Sequence, residues 1–479
     1  MLKIAFVQYE LKARFGIMYL SAMLKKAGHS CEVFIKVEEE DIIKSVLDYK
    51  PDVIAFSTMT AGNKFALEWA KKFKEKSDIF IIMGGPHPTF FPEVLEKNDF
   101  LDAICVGEGE YAIVELVNAL DTGKDITKIK NIWVRKNGKI YKNDIRKLLN
   151  PDDLPMCDRE LYYNKYPELR NAPTKRFFLV RGCPFSCTYC FNNAYKKICK
   201  GKGPYVRTMS VKKAIEEIKF VRDKYGMKWV QIITDTINAD RKWFMEFLDR
   251  YKNEIKIPFL CCVRLDLVDE EMVKKMKQAS CERVDYAIEN GDEWIRRNIL
   301  KRRMSDEIIL KAGGWFRDYG FRVQTANIIG VPHETVETAM KTVEMNRVLQ
   351  PEIAKAAILQ PYPRTEINSY AKKHGMLPKD YYSESGTGFQ TSFDATKQFI
   401  PVKVEKPKEL TNIYLFFHLL VKYPKMEPIL KKLMKLPPNR FFKIAYIFPF
   451  VKREIIYTNS IKRKLKNFGI LIKTLLKPM

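Results

Sequence analysis

Short, continuous apolar runs alternate with amphipathic stretches along residues 1–121 and again from 176 to 362, and this alternation does most to restrict how the chain can fold. In the first stretch the runs are 3–9, 30–36, 52–58, 79–85 and 103–107, each followed by a helix-like segment such as 16–28. Strands that are apolar throughout must be covered on both faces, which predicts a parallel sheet between helices with ligands beyond the carboxyl ends of its strands. The second stretch repeats the pattern at 176–182, 229–235, 259–267, 283–289, 322–330 and 354–362. Six strand–helix units in series predict a partial barrel whose chemistry sits at the carboxyl-terminal rim.

Between the two stretches the rhythm breaks. A β-like piece at 131–141 turns at Asn137-Gly138, and 149–163 is rich in Pro, Asp and Asn, the residues of turns and linkers. The expected division is an α/β domain over 1–125, a linker with a short β segment over 126–170, a barrel over 171–375 and a basic, mainly helical region over 376–479.

Three cysteines, Cys183, Cys187 and Cys190, crowd into one loop directly after the first barrel strand. Their spacing lets one loop aim three soft thiolates at a common centre, which selects zinc or an iron–sulfur cluster. A closed zinc site needs a fourth ligand; Cys199 is nine residues on and no histidine is near. A cluster held by three thiolates keeps one iron open, so the spacing favours iron–sulfur. The remaining seven cysteines, in mostly apolar contexts, read as core residues.

Arg181-Gly-Cys-Pro-Phe-Ser-Cys-Thr-Tyr-Cys190, with Tyr189 before the last cysteine, resembles the signature of the radical S-adenosylmethionine (SAM) superfamily over roughly 170–370. The resemblance implies a [4Fe-4S] cluster that cleaves SAM to a 5′-deoxyadenosyl radical. It also implies SAM contacts at Tyr189, Asp235, Arg264, Glu289, Asn290 and Gly330, all at or near strand ends. Asn290 departs from the Ser of the usual Glu-Ser-Gly version. Gly330-Val-Pro-His-Glu334 resembles the fifth-strand turn of the family, and 360–365 the sixth-strand end of its cobalamin-dependent branch.

The first domain resembles the cobalamin-binding domain that precedes the barrel in that branch. Its matching loops carry Ser57 and Thr58 after the third strand, Gly84, Gly85 and His87 after the fourth, and Gly107, Glu108 and Gly109 after the fifth. Glycine lets backbone approach a bulky ligand there. The loop after the first strand, Glu10 to Gly16, lacks the Asp-x-His-x-x-Gly of mutase-type domains, so cobalt ligation by histidine is not expected. The resemblance then implies methylation of an unreactive carbon, with radical cyclisation or carbon–carbon coupling as the alternative and a non-catalytic cobalamin or iron–sulfur sensor as the reading from another class. No side chain stands out as a general acid or base.

Residues 401–479 hold 18 Lys or Arg against 4 Asp or Glu, more than half of the chain's net +26. Apolar runs at 413–421, 441–451 and 468–476 are too short to span a bilayer, but basic amphipathic helices can lie among headgroups. Packing of the same helices on the barrel is the equal alternative. The first reading predicts peripheral membrane contact and a lipid or isoprenoid substrate. No nucleic-acid-recognition module is apparent. The start, MLKIAFVQYE, lacks the head and apolar stretch of an export signal, so the cytoplasm is expected, with a ferredoxin or flavodoxin as reductant.

Overall fold

The computed structural model describes residues 1–378, 381, 400–439 and 441–446. The chain forms two compact units: Met1–Arg181 with Tyr195–Lys228, and Gly182–Ala194 with the chain from Trp229 onward.

The first unit is built on a seven-stranded sheet. Its strands are β1 (Lys3–Gln8), β2 (Ser30–Ile35), β3 (Val53–Ser57), β4 (Phe80–Gly84), β5 (Ala103–Cys105), β6 (Ile132–Lys136) and β7 (Lys139–Tyr141). They lie in the order β2-β1-β3-β4-β5-β6-β7, the first five parallel and the last two antiparallel. Apolar clusters cover both faces, one around Ile4, Phe6, Ile17 and Leu116, the other around Val7, Phe56, Phe73 and Ile104. This double coverage is why β1 and β3 are apolar nearly end to end. The β piece assigned to a linker is instead the edge of this sheet. Asn137 and Gly138 both have positive φ, so the two-residue turn matches the strand twist and folds β7 back on β6.

The expected strand 176–182 is two short ones, β8 (Thr174–Phe177) and β9 (Val180–Arg181), because β9 pairs antiparallel with β10 (Arg207–Thr208). In the second unit β11 (Trp229–Ile232), β12 (Phe259–Val263), β13 (Cys281–Glu289), β14 (Arg322–Ile329) and β15 (Ile353–Ile358) form a parallel sheet in chain order. With β8, six strand–helix repeats follow one another along the chain, as the alternation predicted. Five helices of this unit open on a side-chain cap: Asp240, Asp269, Ser305, Thr335 and Thr365 each accept from the backbone N–H three residues on. Each cap is worth about 1 kcal/mol and fixes the turn that leads from a strand end into its helix.

Burial alternates along β14, with Val323, Thr325, Asn327 and Ile329 buried and Gln324, Ala326 and Ile328 half-buried. Thr325 and Asn327 bond Asn346 of helix Val336–Leu349, so the buried set faces the helices and the other set lines the inner face. The helical tail packs on the outer side. In helix Pro407–Lys422, Ile413, Tyr414, Leu415, Phe416, Phe417, Leu420 and Val421 are buried in a cluster with Ala354, Ala356 and Ile358 of β15. The run 413–421 is therefore core and offers no face to a membrane, which corrects the membrane reading for that segment. The expected runs beyond 446 lie outside the described residues. Among the described residues no helix is long and apolar enough to cross a membrane.

Candidate cofactor sites

In the second unit the cysteine loop is held by backbone. Thr188 donates its N–H to Leu300 O (3.1 Å) and its hydroxyl to Ile299 O (2.7 Å), and it accepts from Ile367 N–H (2.9 Å). Each sulfur meets a polar group: Cys183 Sγ lies 3.3 Å from Thr236 Oγ1, Cys187 Sγ 3.9 Å from Arg264 Nη1, and Cys190 Sγ 3.8 Å from Asn192 Nδ2. The N–H donors beside Cys187 and Cys190 suit a cluster whose sulfurs carry negative charge. Among the described residues, no three His, Cys, Asp or Glu side chains are gathered as for a single metal ion.

The strand-end residues meet this loop. Asp235 Oδ2 accepts from Gly182 N–H at 3.1 Å, and the Tyr189 hydroxyl donates to Glu289 Oε1 at 2.7 Å. Burial raises the Glu289 carboxyl above its usual range, against the pull of Arg302, whose Nη1 lies 3.9 Å from Oε1. Arg302 also donates to Ala287 O at 2.7 Å. Glu289 itself sits at φ +70°, a costly conformation for a non-glycine residue and one met at functional sites. Arg264 lies 3.4 Å over the Phe185 ring and is neutralised by Asp266, with Nη2 donating to Oδ2 at 3.0 Å. Asn238 clamps its backbone, accepting from Arg264 N–H and donating to Arg264 O, each at 3.0 Å.

Asn290 is fully buried and not an open rim group. Its Nδ2 donates to Glu334 Oε1 at 2.7 Å and its Oδ1 accepts from Asp292 N–H at 2.9 Å. Glu334 also accepts from the backbone N–H groups of Gly330 and Val331, and burial pushes its carboxyl up to about 7 despite these three donors. Asn290 thus acts through Glu334 on the turn that carries Gly330, where φ is +82°.

In the first unit the loops after β3 and β4 interlock: Thr58 N–H donates to Gly84 O (2.8 Å) and His87 N–H to Thr58 O (3.0 Å). A Cβ on Gly85 would fall 2.9 Å from both Thr58 N and O, and φ there is +94°, so only glycine fits. Thr89 links onward, its hydroxyl donating to Gly85 O and accepting from Gly107 N–H. Buried polar atoms without a hydrogen-bond partner gather here: Thr58 Oγ1, Thr60 Oγ1, Asn63 Oδ1 and His87 Nδ1. Burial takes His87 down to about 4, so the ring is neutral, and it stacks 5.1 Å from Phe91. Buried polar atoms of this kind are normally satisfied, which points to a polar ligand that completes them. Ser57 presents its carbonyl to Arg14 Nη1 at 2.6 Å, and Gly109 opens helix Glu110–Asp121.

Glu108 is different. Arg207 grips it with both terminal nitrogens (2.9 and 2.8 Å), Arg181 donates to it at 3.1 Å, and Arg181 also donates to Glu110 at 2.6 Å. Burial works to raise the Glu108 carboxyl, but the two guanidinium groups hold it below its usual range. Both oxygens of its carboxylate are engaged by these guanidinium groups and by Leu149 N–H. Arg207, Arg302, Asp266 and Asn238 escaped the sequence reading; only the position of Asp266, two residues after Arg264, offered a signal.

Two family models match: the B12 binding domain at residues 11–117 and the radical SAM superfamily at residues 177–345. The chain belongs to the radical SAM superfamily, in its B12-binding branch. It is 28% identical to an uncharacterized methyltransferase of Pyrococcus horikoshii over 76% of this chain and 79% of that protein. An anaerobic magnesium-protoporphyrin IX monomethyl ester cyclase of Rubrivivax gelatinosus is 24% identical over 73% and 65%. The hopanoid C-3 methylase of Methylococcus capsulatus is 23% identical over 82% and 73%. Among solved structures, the radical SAM methyltransferase TsrM of Kitasatospora setae, with cobalamin and a [4Fe-4S] cluster bound, superposes with a TM-score of 0.68 at 14% identity over 98% and 99% of the two chains. The two matched domains imply B12 and SAM as cofactors of this radical SAM enzyme.

Proposed function

We propose that this radical SAM enzyme methylates an unactivated carbon of a hydrophobic, lipid-like substrate. The carrying observation is the inner face of the second unit's sheet. Toward the carboxyl ends of the strands its half-buried positions include Ala287, Ala326, Ile328 and Ala357, apolar and mostly small, beside Lys355, which is level with Ala326. Deeper in, Arg283, Asp285 and Gln324 bond one another and close the floor. Such a surface selects by fit and burial rather than by polar contacts.

The bound cofactors supply a radical able to remove an unactivated hydrogen atom and a methyl group to replace it. The chain's own residues bind and orient. Cys183, Cys187 and Cys190 hold the cluster. Asp235, Tyr189, Glu289 and the backbone at Gly330 form the rim that positions SAM, while Thr58, Gly85 and His87 hold cobalamin. The hopanoid methylase among its relatives supports a lipid-like substrate. So does the surface around helix Glu427–Met434, where Tyr423, Ile429, Leu436 and Phe441 are exposed among Lys425, Lys432 and Lys435, a composition suited to a membrane face.

The test is anaerobic incubation of the reconstituted protein with reductant, methyl-labelled SAM and a cellular lipid extract. Label in a lipid with both 5′-deoxyadenosine and S-adenosylhomocysteine is expected. A product lacking two hydrogens, formed without S-adenosylhomocysteine, would assign the cyclisation seen in the name of the Rubrivivax relative.

A further inference from the structure

A cluster that must be reduced before it cleaves SAM needs an entry point for the electron, and two segments of the second unit are hydrogen-bonded directly to the cysteine loop. Thr188, between Cys187 and Cys190, is bonded on one side to Ile299 and Leu300 and on the other to Ile367, all through backbone or its own hydroxyl. Asn193 of the same loop donates to Glu366 at 3.1 Å, and Glu366 is ion-paired with Lys301. The segments 293–303 and 366–374 are therefore one hydrogen bond from the loop.

Their outer surface is aromatic at its centre. Trp294 is 56% exposed, and its ring meets that of His333 edge-on at 6.0 Å. His333 Nε2 lies 2.8 Å from the Tyr370 hydroxyl, and Tyr370 stacks on His374 at 4.1 Å. The same two segments expose Arg297, Lys301, Arg303, Lys372 and Lys373, whereas their carboxylates, Glu293 and Glu366, are half-buried and each paired with a cation. An aromatic centre within a cationic rim is the composition of a surface that takes a protein partner of opposite charge.

We propose that this face, centred on Trp294 and Tyr370 and rimmed by Lys301, Lys372 and Lys373, docks an acidic one-electron donor protein of the flavin or iron–sulfur type. In the step it serves, the donor is oxidised by one electron and the cluster reduced by one, with no bond made or broken. This rests on the radical SAM reading of Cys183, Cys187 and Cys190.

The experiment follows cluster bleaching by anaerobic stopped flow in the full reconstituted chain, once with reduced flavodoxin and once with dithionite. Wild type is compared with Trp294→Ala and with Lys372→Glu/Lys373→Glu. The flavodoxin rate should fall about tenfold in both variants, and the paired reversal should remove most of its decline with salt. Dithionite should reduce all three proteins equally. Unchanged flavodoxin rates, or equal slowing with both reductants, overturn the docking face. Wild-type protein that accepts an electron from neither donor sinks the reading beneath it as well.

Discussion

The two units of the molecule are built on opposite principles around their candidate sites. Around the cysteine loop nearly every polar group is already spoken for: Tyr189 on Glu289, Glu289 beside Arg302, Arg264 on Asp266, Asn290 on Glu334. At the ends of β3 and β4, Thr58, Thr60, Asn63 and His87 bury polar atoms with no partner among the described residues. Although Thr234 Oγ1 and Arg302 Nε are also buried without a hydrogen-bond partner, the first arrangement is largely finished before a ligand arrives. The second is completed by one. Substitutions at the barrel rim should therefore cost stability as well as function, whereas those in the B12-binding loops should chiefly cost affinity.

The largest effect should come from breaking the rim's buried ion pair. Arg302→Met leaves Glu289 with its tyrosine and only the weaker pull of Arg264, and urea unfolding should show a loss of about 3 kcal/mol, partly recovered in Arg302→Met/Glu289→Gln. A change in the other region that rivals it would erase the contrast.

Next is Gly85→Ala. The added Cβ meets Thr58 N and O at 2.9 Å and the positive φ resists any side chain, so about 1–3 kcal/mol of stability is lost and cobalamin binding, read by equilibrium dialysis, is abolished. At Gly85 backbone, not an open polar atom, sets the cost.

A pH profile sharpens the comparison further. Glu334 keeps its proton up to about 7 in the folded protein against 4.5 for the ordinary group. Its contribution is full below about 4.5 and is lost as the pH rises through about 7, because the unfolded chain releases the proton first. Thermal melts between these limits should slope downward in wild type and lose that component in Glu334→Gln.

The smallest effect on the bare protein should be that of Thr58→Val. Removing a buried hydroxyl that has no partner leaves stability unchanged or up to about 1 kcal/mol higher, while cobalamin affinity falls roughly fivefold. A destabilised Thr58→Val would show that its hydroxyl is satisfied within the protein.

Much of this architecture was legible in the residues themselves. The alternation of apolar runs and the glycine loops are local signals, and they placed β1 to β5 and β11 to β15 within a few residues. The cysteine loop was legible for the same reason. What the sequence hid was long-range. Arg207 reaches Glu108 across 99 positions, and Asn290 reaches Glu334 across 44, and no local pattern announces such pairs. Helix Pro407–Lys422 was ambiguous because an apolar face above lysines has the same periodicity whether it covers a barrel or rests on lipid; its buried Tyr414, Phe416 and Phe417 decide for the barrel. The hairpin β6–β7 was read as a turn correctly and as a linker incorrectly, since an edge strand looks like any short polar strand.

The most direct test of the account is electron paramagnetic resonance of the anaerobically reconstituted, reduced protein with and without SAM. A reduced [4Fe-4S] signal that shifts on adding SAM, and is absent after Cys183→Ala, is the predicted result. Zinc in place of iron, or a cluster signal that SAM leaves untouched, would contradict it.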